Sequence, residues 1–226
     1  MKRLISVILT ICMLVTLALP LCFTASAEGD VVEIGTAAEL ISFGKNFGSY
    51  SGKTVKLTAD IDMNDLSEGL SFEPIGYQFD ISQNTNSNRA MFCGVFDGMG
   101  HTIDNLTFDD SANKATNGCE SGLFGLVTYA RIKNLVLGEG CHFKANSNDN
   151  QSRVGAIAGL CWGSVQLTNV CSKATIGVAD TLARCAQNPG GLIGLARGGA
   201  TLTNCTNAGT VYGTTIAGGL VGYARN

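Results

Sequence analysis

Few residues in this 226-residue chain are of types and spacings that could do chemistry. His101 and His142 are its two histidines. His101 lies in the turn-like Gly-Met-Gly-His-Thr and His142 beside an apolar column, neither in a nucleophile-like context. No His-Glu-x-x-His segment occurs, so the zinc-peptidase ligand set is missing. Asp60-x-Asp62-x-Asn64-Asp65 has the opening of a calcium loop but lacks the central glycine, and Ser71 stands where the twelfth-position glutamate belongs. Read as strand, it places both aspartates on one solvated face. Asp97, in Val-Phe-Asp-Gly, shapes a turn beside Gly98. The remaining acids are scattered, with no pair in phase for glycoside hydrolysis. No catalytic, metal-binding or cofactor-binding residue is therefore assigned, and no cofactor is expected.

A different constellation carries binding chemistry. Thr128, Trp162, Arg197 and Arg225 each stand three residues after a recurring glycine, and Tyr129 adjoins the first. If those glycines mark successive turns of one coil, the only tryptophan and two arginines stack on neighbouring turns. An aromatic plate with hydrogen-bonding neighbours suits a sugar ring or a partner protein. Trp162, Arg197, Arg225 and Tyr129 are the candidate ligand-binding residues.

The elements that must position them follow from the repeat. Gly122-Leu-Phe-Gly125, Ala156-Ile-Ala-Gly159, Gly191-Leu-Ile-Gly194 and Gly219-Leu-Val-Gly222 close on glycines 34, 35 and 28 residues apart. Asn105, Asn134, Asn169 and Asn204 follow Gly94, Gly125, Gly159 and Gly194 by 11, 9, 10 and 10 residues. Two residues before each asparagine stand Ile103, Ile132, Leu167 and Leu202; one after it stand Leu106, Leu135, Val170 and Cys205. Apolar residues three apart break strand alternation, so the asparagine is expected at a corner, where it tolerates left-handed backbone and can bond adjacent turns. Seven residues beyond it, Cys141, Ile176 and Val211 form a third inward column. Each turn reads as three short strands, with polar insertions near Lys144–Arg153 and Asp180–Pro189. One turn cannot bury its apolar face alone, and stacked turns can. The expected fold is all-β, a parallel β-solenoid. Leu126, Leu160, Leu195 and Tyr223 are apolar on the expected outer face, so either the glycine bends the strand or something covers them.

Upstream, Thr36-Ala-Ala-Glu39 is a capping box, followed by Leu40, Ile41, Phe43 and Phe47 at helical spacing. This short helix is expected to cap the open end of the coil. Thr54 to Met63 alternates as one strand through Val55, Leu57, Ile61 and Met63.

Lys2 and Arg3, the apolar stretch Leu4 to Leu21, and Ala25-Ser26-Ala27 have the layout of a secretory signal peptide over 1–27. After cleavage no membrane segment is expected, and the protein is secreted or on the cell surface. The mature chain carries 13 basic and 18 acidic residues without a basic stripe, which excludes nucleic acid as a partner. All 29 glycines remain, about twice ordinary usage, with only Pro74 and Pro189 beside them. Seven cysteines remain, an odd number that cannot all pair within one chain. Cys141 and Cys205 fall on inward columns as small core residues, as does Cys161. No Cys-x-x-Cys or Cys/His spacing points to zinc. Asn105-Leu-Thr and Asn204-Cys-Thr match glycosylation sequons on corner residues.

The segments TAAELISF, GKTVKLTADIDM, FCGVFDGMGHTIDNLTF, SGLFG, GGLIG, TLTNCTNAGTV and GGLVGYA together resemble the GLUG-repeat proteins over nearly all of 31–226. The resemblance implies a bacterial secreted or surface protein and makes the solenoid a right-handed parallel β-helix with a short N-terminal capping helix. It also implies adhesin-like or carbohydrate-associated roles. Related repeats flank some secreted metallopeptidases, whose chemistry this chain lacks the residues for. Ala156–Gly159 departs from the Gly-Gly-Leu-x-Gly pattern. The expected organisation is a signal peptide at 1–27, a cap with the first β-helix turns at 28–108, and GLUG-type repeats at 109–226. The last turn stops four residues after Gly222 and reads as incomplete, as in a fragment of a longer surface protein.

Two function classes follow. One is a non-catalytic extracellular or cell-surface protein that binds a glycan or a host or cell-surface protein. The other is a carbohydrate-active enzyme of the polysaccharide lyase or hydrolase kind, or the repeat region of a larger secreted hydrolase or peptidase.

Overall fold

A computed structural model describes residues 30–46, 48, 52–76, 91–109, 120–144, 152–177, 188–213 and 216–225. Residues 1–27, read from sequence as a signal peptide, lie outside the described residues. The chain forms parallel sheets with one α-helix. In the repeat region each sheet draws its strands from successive turns. The widest sheet runs from Val31–Ile34 through Thr54–Leu57, Val95–Asp97, Arg131–Leu137 and Val165–Ser172 to Ala200–Thr203. A four-stranded sheet stacks Phe124–Thr128, Ala158–Trp162, Ile193–Arg197 and Val221–Arg225. Two three-stranded sheets flank these. One comprises Thr107–Asp109, His142–Lys144 and Thr175–Ile176; the other Glu120–Ser121, Arg153–Gly155 and Asn188–Gly190.

A turn therefore passes through four sheets rather than three strands. The strand preceding each Gly-x-x-Gly segment reads as loop because it is polar: Glu120-Ser121, Arg153-Val154-Gly155, Asn188-Pro189-Gly190. Pairing between turns, not apolar alternation, holds it in place. Arg153 and Pro189, placed in insertions from sequence, are register-paired strand residues; Val154 lies opposite Pro189. The departing turn at Ala156–Gly159 keeps full register with both neighbours.

The corner prediction holds. Asn105, Asn134, Asn169 and Asn204 all have φ between 52° and 55°, a conformation that asparagine visits more readily than most residues. Asn169 Nδ2 donates to Asn134 Oδ1 at 3.0 Å, and Asn204 Nδ2 to Asn169 Oδ1 at 3.2 Å. The first column needs correction. Phe96, not Ile103, lies opposite Ile132, and Ile103 pairs with Leu137. Asp97 stands at the head of the asparagine ladder, accepting from Asn134 Nδ2 at 3.0 Å. Asn105 belongs to another corner and donates to Asp62 Oδ1 at 2.7 Å. Its distance from Gly94 imitates the repeat while enclosing a different set of strands. The third column is likewise Phe143, Ile176 and Val211, not Cys141. The stretch from Leu137 to His142 is two residues longer than its counterpart from Ser172 to Thr175.

The four-stranded sheet explains the glycines. Phe124 and Val127 point into the main core, whereas Leu126 between them belongs to a separate apolar cluster with Leu160 and Leu195. Inward residues three apart require a break in the pleat, and Gly125 supplies it. The same glycine column also permits close approach. A Cβ on Gly159 would lie 2.5 Å from Ser121 N, and one on Gly194 2.5 Å from Val154 N. Both sequence alternatives for the outer leucines apply: the strand bends and the residues are covered. Leu126, Leu160 and Leu195 are buried with Met91 against them, while Tyr223 in the same column is exposed.

Helix α1, Ala37–Asn46, begins as the capping box predicts. Thr36 Oγ1 accepts from Glu39 N at 3.2 Å. The Glu39 carboxylate reaches one residue further back than the usual box, accepting from Gly35 N at 2.8 Å. Its buried residues Leu40, Ile41 and Phe43 join the core at the first-turn end. Phe43 packs near Phe92 and Phe96, which flank Phe124 at 4.8 and 5.5 Å between centroids. Phe47 lies outside the described residues. The alternation from Thr54 to Met63 is not one strand. It divides into Thr54–Leu57 and Ile61–Asp62, with a 3-10 turn starting at Met63.

Candidate functional site

The four-stranded sheet brings the candidate residues together in the expected order. Trp162 lies opposite Thr128 on one side and Arg197 on the other, and Arg197 lies opposite Arg225. Side chains at i and i+2 share a strand face, so Trp162 rises on the same side as Leu160. It is half-buried and packs against the outer leucine cluster. Arg197 and Arg225 are exposed.

The arginine also changes what the tryptophan can do. Arg197 Cζ sits 4.6 Å from the centroid of the Trp162 ring, a cation–π contact. One face of the expected aromatic plate is thus occupied by a guanidinium. That stacking holds the guanidinium in place while leaving its N–H edge to donate. Tyr129 is 49% exposed with φ of 46°. Its ring lies over Gly163 on the next turn, where an added Cβ would stand 3.0 Å from Tyr129 Cζ. Gly163 itself has φ of 71°, and Gly198 follows it one turn on, so this column keeps room for the tyrosine.

The acids and histidines serve contacts between turns. Asp60 Oδ1 accepts from Thr102 N at 2.8 Å and meets His101 Nδ1 at 3.2 Å. The Thr102 amide, then His101, holds the Asp60 carboxyl below its ordinary range. Asp62 is held down by Asn105 and by the Asn64 amide, which donates at 2.9 Å. For Asp97, burial works to raise the pKa, but hydrogen bonds from Asn134, Lys133 and the Met99 amide together lower it. The turn at Gly98 is as expected, with Met99 N donating to Asp97 at 3.0 Å. His142 Nε2 donates to Gly177 O at 2.8 Å. Among the described residues no three His, Cys, Asp or Glu side chains gather as a metal site.

Among the cysteines, burial pushes the Cys141 thiol up to about 11 and raises Cys161 as well. Cys205 is half-buried, and Cys93 is disulfide-bonded. One contact had no sequence signal. Arg153 Nη1 donates to Glu120 Oε1 at 2.8 Å, and Glu120 is buried. Thirty-three residues separate them in polar stretches, and only the register of their sheet brings them together. Two clefts lie elsewhere. One of about 270 Å³ is lined by Ile41, Lys45, Glu73 and Pro74, and one of about 560 Å³ by Met63, Phe72, Asn105 and Phe108. Neither includes a ladder residue.

Among the described residues no helix is long and apolar enough to cross a membrane. The chain is 32% identical over 182 residues to halomucin of Haloquadratum walsbyi, covering 78% of this chain but 2% of that protein. In fold it is similar, at a TM-score of 0.47 and 18% identity, to a Bacteroides ovatus protein provisionally titled an immunoglobulin A1 protease. That likeness covers 86% of this chain and 62% of the other. Residues 186–212 match the family described as the GLUG motif. They include strands Asn188–Gly190, Ile193–Arg197 and Ala200–Thr203, so the chain is a GLUG-containing protein whose motif spans most of one turn.

Proposed function

We propose that the chain is a right-handed parallel β-helix, secreted or displayed at the cell surface, that binds carbohydrate without turning it over. The coil reading rests on parallel strands from successive turns and on the right-handed preference of parallel crossovers. The binding reading rests on one observation: Trp162, Arg197 and Arg225 occupy consecutive rungs of one sheet, with Tyr129 exposed beside them. Rigid aromatic area with arginine donors is the usual equipment for holding a sugar or a partner surface. The carboxylates of Asp60, Asp62 and Asp97 are engaged in holding neighbouring turns, which supports a scaffold over a hydrolase.

The test is a glycan array on the purified protein, with release of reducing ends followed on every glycan bound. Binding lost in the Y129A/W162A double variant, with no cleavage, supports the proposal. Cleavage overturns its non-catalytic half, and unchanged binding in that variant overturns the site.

A further inference from the structure

The sequence carries a charge pattern that the aromatic ladder alone does not explain. Residues 28–120 hold 15 acidic and 5 basic side chains, whereas residues 121–226 hold 3 acidic and 8 basic ones. After Asp180 the sequence has no acid at all, yet Arg197 and Arg225 stand on adjacent rungs there. Neighbouring strands are about 4.8 Å apart, and like charges placed directly opposite destabilise a sheet. No carboxylate among the described residues pairs with either arginine. Trp162 stacks against the Arg197 guanidinium at 4.6 Å and restrains it, so less ordering remains to be done on binding.

We infer that this ladder binds a uronate-bearing polysaccharide, with Arg197 and Arg225 taking sugar carboxylates and Tyr129 lying against a ring. The inference rests on the carbohydrate reading above and names its substrate class. A planar carboxylate matches the planar fork of a stacked guanidinium through two parallel hydrogen bonds. A tetrahedral sulfate gains less from that coplanarity. The acidic first turns repel the same polymer, which confines it to the later turns.

Calorimetry of the purified protein with polygalacturonate tests this, with dextran, dextran sulfate and polyglutamate as comparators. Polygalacturonate should bind tightest, and raising NaCl from about 50 mM to about 300 mM should weaken it. R197Q and R225Q should each weaken it about tenfold or more, and R197K, which keeps charge without the fork, should fall between. Both arginines are exposed, and unchanged circular dichroism and Tm would confirm that the variants fold. Equal binding of polyglutamate or dextran sulfate overturns the inference. Salt-insensitive dextran binding that survives R197Q and R225Q but is lost in Y129A/W162A overturns it while leaving the carbohydrate reading intact. Binding to no glycan ends both.

Discussion

Asn134 offers its side-chain carbonyl to Asn169, one turn later, across 3.0 Å. Both residues are left-handed, and the same link continues from Asn169 to Asn204. Each asparagine therefore does two things: it sets a corner that other residues resist, and it ties that corner to the next.

Replacing Asn169 separates these roles. N169G keeps the backbone conformation and loses two side-chain hydrogen bonds, so it should cost about 1–2 kcal/mol. N169A adds left-handed strain of about 1–2 kcal/mol. Denaturant unfolding should rank wild type above N169G above N169A. Equal stability of N169G and wild type would show that the ladder contributes nothing.

Glu120 and Arg153 form a part-buried ion pair, and removing the arginine takes away the positive charge facing an enclosed carboxylate. R153M should cost about 3–5 kcal/mol, with much of that recovered in E120Q/R153M. A double-mutant cycle by thermal unfolding measures the coupling; additive losses would remove the pair from the account.

Asp97 links acid stability to a single corner. Hydrogen bonds from Asn134, Lys133 and the Met99 amide hold its folded pKa below the usual aspartate value, so its contribution is fully present above that usual value. It is lost as pH falls through the lower, folded pKa, because the unfolded chain then binds more protons. D97N should be less stable near neutral pH and should show a flatter stability profile below about pH 4. Identical profiles for the two proteins would place the acid sensitivity elsewhere.

Cys141 and Cys161 are buried thiols with raised pKa. Thiolate is the reactive form, so iodoacetamide at mild alkaline pH should leave both unmodified until denaturant is added. Peptide mass spectrometry reads each site, and native-state labelling of Cys161 would contradict its burial.

The four-stranded ladder was legible because its glycines answer a constraint that no side chain can meet, the close pass of Gly159 over Ser121 N. A residue under such a constraint recurs in phase, and Thr128, Trp162, Arg197 and Arg225 could be counted from it. The column through Ile103 was misread because the first repeat has no asparagine at this turn: Asp97, opposite Lys133, accepts the amide hydrogen bond from Asn134, and the left-handed residue there is Met99. The slip at Cys141 came from two extra residues around Gly138–Gly140, a change of length that leaves the apolar pattern intact. The strands at Glu120 and Arg153 were invisible because what holds them is an ion pair and backbone pairing between turns. The guanidinium over Trp162 also needed coordinates: sequence spacing placed the two residues on adjacent rungs but could not stack them.

Parallel pairing from turn to turn carries a mechanical consequence. Every interstrand hydrogen bond runs along the stacking direction, so tension on that axis loads the rungs in series. A pull on the last described strand, Val221–Arg225, passes through its pairing with Ile193–Arg197 to Ala158–Trp162, so the weakest rung opens first. Each rung that opens frees one repeat of chain, so extension along that axis comes in steps of one turn.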